Sequence, residues 1–356
     1  MKHIKFSHVL SLLLALVMIL SLAACAGTPS ESDIETTEST EPEETLGTPD
    51  DTNTPTLDTD LPVRISVLNG TTGFGIAKLM NDHADGNAAL NYSFKVETDA
   101  ANINAGLIKG EIDIAALPTN AASTLYNKTE GAVSVLALNT LGVLYVVENG
   151  DSVKTLADLE GKTVYAPAQN PAFIFEAICK ASGVNVTIDT TYAQPAALMS
   201  AVAASEAGMI AVLPQPVLTV AMSKNANLRL ALDLTAEWKN AVGSDSLVQG
   251  CIVVRNEFLN AHTNEVLKFM EEYKASIEFL NANPTEASEM VVELGIYTGA
   301  AAVAAKAIPS CNIVYIDGEE MKTALSAFLE TMFDFKAASV GGALPADNFY
   351  FMAPTK

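Results

Sequence analysis

The sequence predicts an α/β fold of two lobes, each with a mixed, mostly parallel sheet and helices on both faces, and a ligand cleft between the lobes. Short apolar runs alternate with segments of helical periodicity, which is typical of parallel sheets. This alternation restarts after Asn149–Gly150, which indicates a second, similar unit. Residues 110–120 (GEIDIAALPTN) and 206–216 (EAGMIAVLPQP) also share one pattern. Each has a short apolar strand, Leu-Pro, a polar residue and a helix start, so both loops are expected at the cleft.

The predicted organisation has four parts. Residues 1–24 form a signal peptide, 25–60 a lipidated tether, 61–148 with 249–356 the first lobe, and 149–248 the second. The hinges are expected near Asn149–Gly150 and Gly243–Gln249.

The leader has the parts of a secretory signal. Lys2 and Lys5 precede an apolar run, Val9–Leu20, that is short for a membrane span. The following Leu22-Ala-Ala-Cys25 resembles a bacterial lipobox, which implies cleavage before Cys25 and a lipid on its sulfur. The alternative is ordinary signal cleavage with an incidental cysteine.

An acidic segment follows the leader. Residues 26–60 contain eleven acidic residues, no Lys or Arg, and many Thr, Ser and Pro, so we expect a disordered tether. Without the tether acids and the two leader lysines, the chain keeps 18 basic and 31 acidic residues, a net charge of −13. This charge argues against nucleic acid and anionic membrane surfaces as partners.

The first lobe begins with a strand, a glycine-rich turn and a helix. Val63–Val67 alternates as a strand, Asn69–Gly75 forms the turn, and a helical stripe starts at Ile76. Unpartnered backbone N–H groups at such a helix start suit a polar ligand group, although a plain strand-to-helix connection explains the pattern too. The predicted contacts in this turn are Gly70, Thr71, Thr72, Gly73 and Phe74.

The other elements follow from periodicity and caps. Further strands of the first lobe are predicted at 91–98, 110–118, 133–138 and 143–147, with helices from 102 and from 119. In the second lobe, a capping box at Thr155–Asp158 opens a short helix, strands are predicted at 162–166, 186–192, 209–213 and 228–234, and helices at 172–181 and 196–204. A strand at 249–254 then returns to the first lobe, and helices at 264–280, from 284, 298–307 and 318–333 cover its sheet.

No catalytic or metal motif is present. After the leader, the chain has only His83 and His262, and it lacks HExxH, GxxxxGK[ST] and GxSxG. Cys179, Cys251 and Cys311 have apolar neighbours and no CxxC spacing, so buried free thiols are expected, with one disulfide pair still possible. We expect no catalytic residue, no metal and no cofactor.

Polar loop residues at strand ends predict a binding site instead. Besides the glycine-rich turn, the predicted contacts are Pro118, Thr119, Asn120, Gln169, Asn170, Phe173 and Gln215. None is Arg or Lys, so the site suits a neutral, heteroaromatic or zwitterionic solute better than sulfate or phosphate.

Five motifs in order carry a family resemblance. They are Asn69-Gly-Thr-Thr-Gly73, Leu117-Pro-Thr-Asn120, Leu141-Gly-Val-Leu-Tyr145, Leu156-Ala-Asp-Leu-Glu-Gly-Lys162 and Leu213-Pro-Gln-Pro216. With the lipobox and the tether, the chain resembles the extracellular solute-binding lipoproteins of ABC importers, which have the type II periplasmic-binding-protein fold. It is similar to the group of nitrate-, sulfonate- and taurine-binding proteins and pyrimidine-precursor synthases.

The resemblance implies a ligand held between two lobes that close about two hinge strands. It places Gly70–Phe74 and Pro118–Asn120 on one side and Gln169, Asn170 and Gln215 on the other. Many relatives have a glutamate where this chain has Gln215, and the loop at 168–171 lacks their glycine-rich form, so ligand identity is not transferred. The synthases use a cysteine-rich motif that this chain lacks.

The sequence therefore predicts a non-enzymatic receptor. It would be a monomer on the extracytoplasmic face of the cell membrane, anchored by lipid alone, and would deliver a small solute to an ABC permease with a cytoplasmic ATPase. The rival prediction is a non-transport envelope lipoprotein, a sensor or interaction module, that reuses the fold.

Overall fold

The computed structural model describes residues 56–244 and 247–354. The predicted signal peptide, the lipidation site Cys25 and most of the predicted tether lie outside these residues. None of the helices in the described ranges is long and apolar enough to span a bilayer.

The first sheet has six strands in the order β11-β4-β10-β3-β1-β2. They are β1 (Pro62–Leu68), β2 (Asn91–Glu97), β3 (Ile114–Pro118), β4 (Val133–Thr140), β10 (Gly250–Arg255) and β11 (Ile313–Ile316). Strands β1 to β4 run in one direction, and β10 and β11 run in the other.

The second sheet has five strands in the order β7-β6-β8-β5-β9. They are β5 (Leu144–Asn149), β6 (Thr163–Tyr165), β7 (Thr187–Asp189), β8 (Ile210–Pro214) and β9 (Leu228–Asp233). Only β5 runs against its neighbours. The predicted fold class, two mixed sheets whose strands mostly point one way, is confirmed.

Thirteen α-helices pack around the sheets in the described residues. They are α1 (Thr71–Phe74), α2 (Ala77–Ala84), α3 (Ala100–Lys109), α4 (Thr119–Lys128), α5 (Asn170–Ala181), α6 (Pro195–Ala203), α7 (Val217–Lys224), α8 (Leu234–Val242), α9 (Asn256–Ala261), α10 (Thr263–Ala282), α11 (Pro284–Glu293), α12 (Ala301–Ala307) and α13 (Gly318–Lys336). Short 3-10 turns occupy Leu156–Leu159, Ile308–Ser310, Ala337–Val340 and Asp347–Phe349, and the first of these has the predicted capping box.

Two chain crossings join the sheets. The chain leaves the first sheet at Thr140 and enters the second at Leu144, and it returns through residues 247–249 to β10. The predicted boundary after residue 148 and the predicted hinge at Asn149–Gly150 are therefore misplaced, because β5 pairs with β8 and β9 of the second sheet. Asn149–Gly150 is instead the turn at the far end of β5. We refer below to the first sheet with its helices as the first lobe and to the second as the second lobe.

One hydrophobic core is shared by both lobes. It includes Leu117 and Phe328 from the first lobe and Val146 and Trp238 from the second. The Trp238 ring is fully buried, and its centroid lies 5.5 Å from that of Phe328 on α13. Trp238 therefore packs at the lobe boundary inside the core.

Candidate functional site

The two lobes meet where strands of both sheets end. At this boundary, the backbone N–H of Thr119, which follows β3, donates to the Gln249 carbonyl at 3.1 Å. The Gln249 side-chain Oε1 accepts from Val143 N–H at 2.7 Å, and the Val143 carbonyl accepts from Gln215 N–H at 3.0 Å. The two predicted Leu-Pro loops are thus linked through the crossings.

The glycine-rich turn lies at the same end of the first sheet. Gly70 has φ of 90°, a value that favours glycine, and its N–H donates to the Ile296 carbonyl at 2.9 Å. Asn139 on β4 donates through Nδ2 to the Thr72 carbonyl at 2.9 Å. Thr71 and Thr72 remain partly exposed. In place of one helix from Ile76, the turn holds the single-turn α1, and α2 follows.

Three predicted contacts are core or anchoring residues in this structure. Phe74 is 0% exposed in the core of the first lobe, so it offers no surface to a ligand. Gly73 is buried, and a Cβ there would lie 2.1 Å from the Leu68 carbonyl oxygen, so the turn depends on glycine at this position. Thr119 is 0% exposed, and its hydroxyl donates to the Val248 carbonyl at 3.1 Å, which fastens the return crossing.

Asn120 and Asn170 have the most distinctive environment among the predicted contacts. Each lies in the first turn of a helix, α4 after β3 and α5 after β6, so they come from different lobes. Each is 9% exposed, and the Oδ1 of each has no hydrogen-bond partner among the described residues. A buried carbonyl without a partner costs about 1–3 kcal/mol, so each of these oxygens calls for a partner from outside the described residues, such as a water molecule or a ligand.

Gln215 is oriented by α7, the helix that begins two residues later. Its Oε1 accepts from the Thr219 hydroxyl on α7 at 2.8 Å, which directs the amide donor away from that helix. Pro118, which ends β3, is half-buried beside this boundary.

Gln169 and Phe173 flank Asn170 on the second lobe. Gln169 is exposed and has φ of 65°, a strained value for a residue with a side chain. The Phe173 ring lies 4.5 Å below the Lys336 ammonium and lines a cavity of about 590 Å³ between α5 and β7. Neither Asn120 nor Gln215 lines this cavity, so Phe173 lies in a separate environment from them.

Tyr297 is a further residue at this end of the first lobe, which sequence reasoning missed. It follows Ile296, the partner of Gly70, and its ring packs edge-on against Phe74 at 6.1 Å. Its hydroxyl is buried without a partner among the described residues. Burial, and then the nearby Cys311, raise the pKa of Tyr297. The sequence feature that could have indicated Tyr297 was its position in the loop between two predicted helices, just before Thr298–Gly299.

Ion pairs with buried carboxylates lie at the opposite ends of the sheets. Asp113, just before β3, accepts from Arg64 Nε at 2.8 Å and from Arg255 Nη2 at 3.0 Å. Glu148, near the end of β5, accepts from Arg229 Nη2 at 2.9 Å. These charges stabilise the ends of the sheets that are remote from the crossings.

The three cysteines are free and buried, so the disulfide pair that remained possible does not form. Burial raises the pKa of Cys179 to about 12 and raises the pKa of Cys251 and Cys311 as well. No cluster of His, Cys, Asp or Glu in residues 56–244 and 247–354 could hold a metal.

The arrangement defines the class of protein: it is the type II periplasmic-binding-protein fold. An ABC transporter protein from Parabacteroides distasonis is 24% identical, with a TM-score of 0.69, over 84% of this chain and all of that one. The ligand-binding component of an ABC-type import system from Staphylococcus aureus, solved with zinc bound, is 13% identical, with a TM-score of 0.62, over 82% and 96%. The periplasmic aliphatic sulphonate-binding protein SsuA from Escherichia coli is 12% identical, with a TM-score of 0.63, over 80% and 94%.

The sequence family is narrower than the fold. Residues 79–331 match the model of the family described as menaquinone biosynthesis, and the chain belongs to this family. No curated protein sequence matches the chain.

Proposed function

We propose that this chain is the extracytoplasmic solute-binding lipoprotein of an ABC importer. It holds a small polar or heteroaromatic solute between its lobes, closes about the two crossings and delivers the solute to a membrane permease. The observation that carries the proposal is the pair Asn120 and Asn170, two buried amides with unpartnered oxygens that come from different lobes. A ligand that bonds both favours the closed state, because its affinity for that state is higher than for the open one.

The proposed contacts are Tyr297 and eight of the residues predicted from the sequence. They are Gly70, Thr71, Thr72, Pro118, Asn120, Gln169, Asn170 and Gln215. These groups are amides, hydroxyls and backbone, so they recognise a ligand by hydrogen bonds and shape. In this proposal Phe74, Gly73 and Thr119 do not contact the ligand. They position the glycine-rich turn and the return crossing.

The likeness to substrate-binding components of ABC import systems supports the solute-binding role. The family description favours a second candidate, an enzyme of menaquinone biosynthesis. We favour binding because the proposed contacts are uncharged amides, hydroxyls and backbone groups, and the buried thiols have raised pKa values. Conversion of a substrate to a product by the purified protein, with loss of that activity in Asn120→Ala, would establish the enzyme instead.

Thermal unfolding of the purified protein tests the receptor proposal. The panel contains thiamine precursors, pyrimidines, riboflavin, taurine, alkylsulfonates, nitrate, polyamines and amino acids. A ligand at a hundredfold excess over Kd adds about 2.7 kcal/mol to the free energy of unfolding and raises Tm by a few degrees. If no compound of the panel shifts Tm, the rival function, a non-transport envelope lipoprotein, is favoured. The gene of such a lipoprotein would also lack a neighbouring permease and ATPase gene pair.

Membrane attachment is tested separately. With Cys25→Ser we expect the protein to leave the membrane fraction, because one lipidated residue provides the anchor. Retention of the variant in the membrane would contradict the lipoprotein proposal.

A further inference from the structure

The two buried amides at the lobe boundary differ from the other buried amides of the fold. Asn139 donates through Nδ2 to the Thr72 carbonyl at 2.9 Å and to the Tyr273 hydroxyl at 3.0 Å. Asn149 donates to the Ser205 carbonyl at 2.7 Å, and Gln249 accepts from Val143 N–H at 2.7 Å. The fold therefore pairs the amides that it buries for structure.

Asn120 and Asn170 are exceptions, since the side-chain oxygen of each is buried and unpartnered. Asn104 shares this property, but it is half-buried on α3. Both exceptions at the boundary begin helices that follow parallel strands, the usual location of ligands in open α/β sheets. An unpaired buried oxygen carries a desolvation penalty that the paired amides of this fold avoid. Two such oxygens are therefore unfavourable unless a ligand pairs with them.

The chemistry of an amide restricts what can pair with it. A carboxamide carries a donor and an acceptor on adjacent groups, so its best partner is an edge that also has a donor beside an acceptor. An anion with acceptors alone leaves the amide oxygen unpaired, and a polyamine with donors alone leaves the amide N–H groups unpaired. Gln215 adds an NH2 group with two N–H donors, because its Oε1 already accepts from the Thr219 hydroxyl.

We propose that the cleft binds an uncharged, flat solute with two hydrogen-bonding edges, each with a donor next to an acceptor, as in nucleobases, aminopyrimidines and cyclic amides. Asn120 pairs with one edge and Asn170 with the other, so that one molecule bridges the lobes. This inference rests on the proposed receptor function and specifies its ligand class. This ligand class differs from the aliphatic sulphonate that is named for the structural neighbour from Escherichia coli.

Calorimetric titration of the full protein with matched probes tests the proposal. The first set is cytosine and uracil, each of which has two edges with a donor next to an acceptor. The second is 1,3-dimethyluracil and N4,N4-dimethylcytosine, which keep the rings and lose edge donors. The third is propanesulfonate, nitrate and putrescine. We expect a member of the first set to bind at least about tenfold more tightly than its methylated partner and than every member of the third set.

The variants locate the two edges. Asn120→Ala and Asn170→Ala should each weaken that binding at least about tenfold, because each removes one amide partner. Asn104→Ala is the matched control, since it also removes an unpartnered buried oxygen but lies on α3, and its affinity should equal that of the unaltered protein.

The outcomes separate this inference from the receptor proposal. Tighter binding of propanesulfonate, nitrate or putrescine would overturn the ligand class and leave the receptor standing. Equal binding of the methylated compounds, or no loss in the two variants, would overturn the pairing by edges. If no probe binds and the wider panel produces no thermal shift, both proposals fail.

Discussion

At the residue scale, Asn120 and Asn139 lie at the same end of the first sheet but have different partners. Asn139 is 1% exposed and fastens α1 through the Thr72 carbonyl, whereas the Asn120 oxygen has no partner among the described residues. Burial alone therefore does not separate a structural amide from one that is available to a ligand. The hydrogen-bond partners make that distinction.

This difference predicts opposite effects of alanine on stability. Asn139→Ala should lower the free energy of unfolding by about 1–3 kcal/mol, because it leaves the Thr72 carbonyl and the Tyr273 hydroxyl without their donor. Asn120→Ala should instead raise it by up to about 1–3 kcal/mol, since it removes a buried oxygen that has no partner among the described residues and breaks no hydrogen bond to them. Urea denaturation measures both, and a large loss in Asn120→Ala would mean that this residue is structural.

Glu148 predicts how stability depends on acid. Burial raises the pKa of its carboxyl, but hydrogen bonds from Ser152, from the Val153 N–H and from Arg229 outweigh burial and hold the pKa at about 2. The folded pKa is below the ordinary value of 4.5, so Glu148 stabilises the fold fully above that pH. This stabilisation is lost as the pH falls towards 2.

The test is thermal unfolding between pH 2 and pH 7. Glu148→Gln should lower stability by about 2 kcal/mol at pH 7, and its acid decline below pH 4.5 should be shallower than that of the unaltered protein. Glu257→Gln is the control, because Glu257 is paired with Arg255 but its side chain is 86% exposed. Identical acid profiles for Glu148→Gln and the unaltered protein would contradict this role.

At the element scale, the turn between β1 and α2 depends on close backbone approach. A Cβ at Gly73 would lie 2.1 Å from the Leu68 carbonyl oxygen, which is backbone and cannot move aside without disturbing β1. A Cβ at Gly75 would meet the side chains of Ile277 and Tyr273 at 2.8 Å instead. The glycines in this turn therefore have different tolerances.

Gly73→Ala should destabilise the protein by about 2–3 kcal/mol, because overpacking against backbone forces the turn to shift. Gly75→Ala in the same turn should cost less, since side chains can adjust. Chemical denaturation gives both values. Equal costs would mean that the turn is flexible enough to absorb the Gly73 methyl group.

The elements also show which helices and strands hydrophobic periodicity predicts and which it misses. The strand at β1 and the helix at α13 were predictable because each has a clear apolar pattern. Strand β11 was missed because it is a four-residue edge strand after Pro309, and α8 was missed because its buried face is shared with the other lobe. The lobe assignment of β5 depends on pairing partners, which periodicity does not specify.

The candidate site was predictable in part for a similar reason. Loop polarity at strand ends pointed to Asn120 and Asn170, which the structure leaves unpartnered. It also pointed to Phe74, whose burial depends on packing from distant helices, and it passed over Tyr297, which a long-range contact brings beside the Gly70 turn. Local patterns locate loops, and tertiary contacts decide which side chains remain available.

At the scale of the whole molecule, the crossings couple the lobes to each other. Gln249 accepts from Val143 N–H at 2.7 Å, its own N–H donates to the Thr140 carbonyl at 2.9 Å, and its carbonyl accepts from Thr119. One residue thus connects the outgoing crossing, the returning crossing and the start of α4. Val143 is 3% exposed, so water can replace the Gln249 side chain only when the lobes separate.

Gln249→Ala should therefore shift the protein towards an open form. An unpaired buried N–H costs about 1–3 kcal/mol, which corresponds to a change of about 5- to 150-fold in the ratio of closed to open molecules. Small-angle scattering should record a larger radius of gyration than in the unaltered protein. Trp238, the single tryptophan, packs against Phe328 across the lobe boundary, so its emission should move to longer wavelength. The control Gln194→Ala, at an exposed position before α6, should change neither measurement. An unchanged radius of gyration in Gln249→Ala would mean that other contacts hold the lobes together.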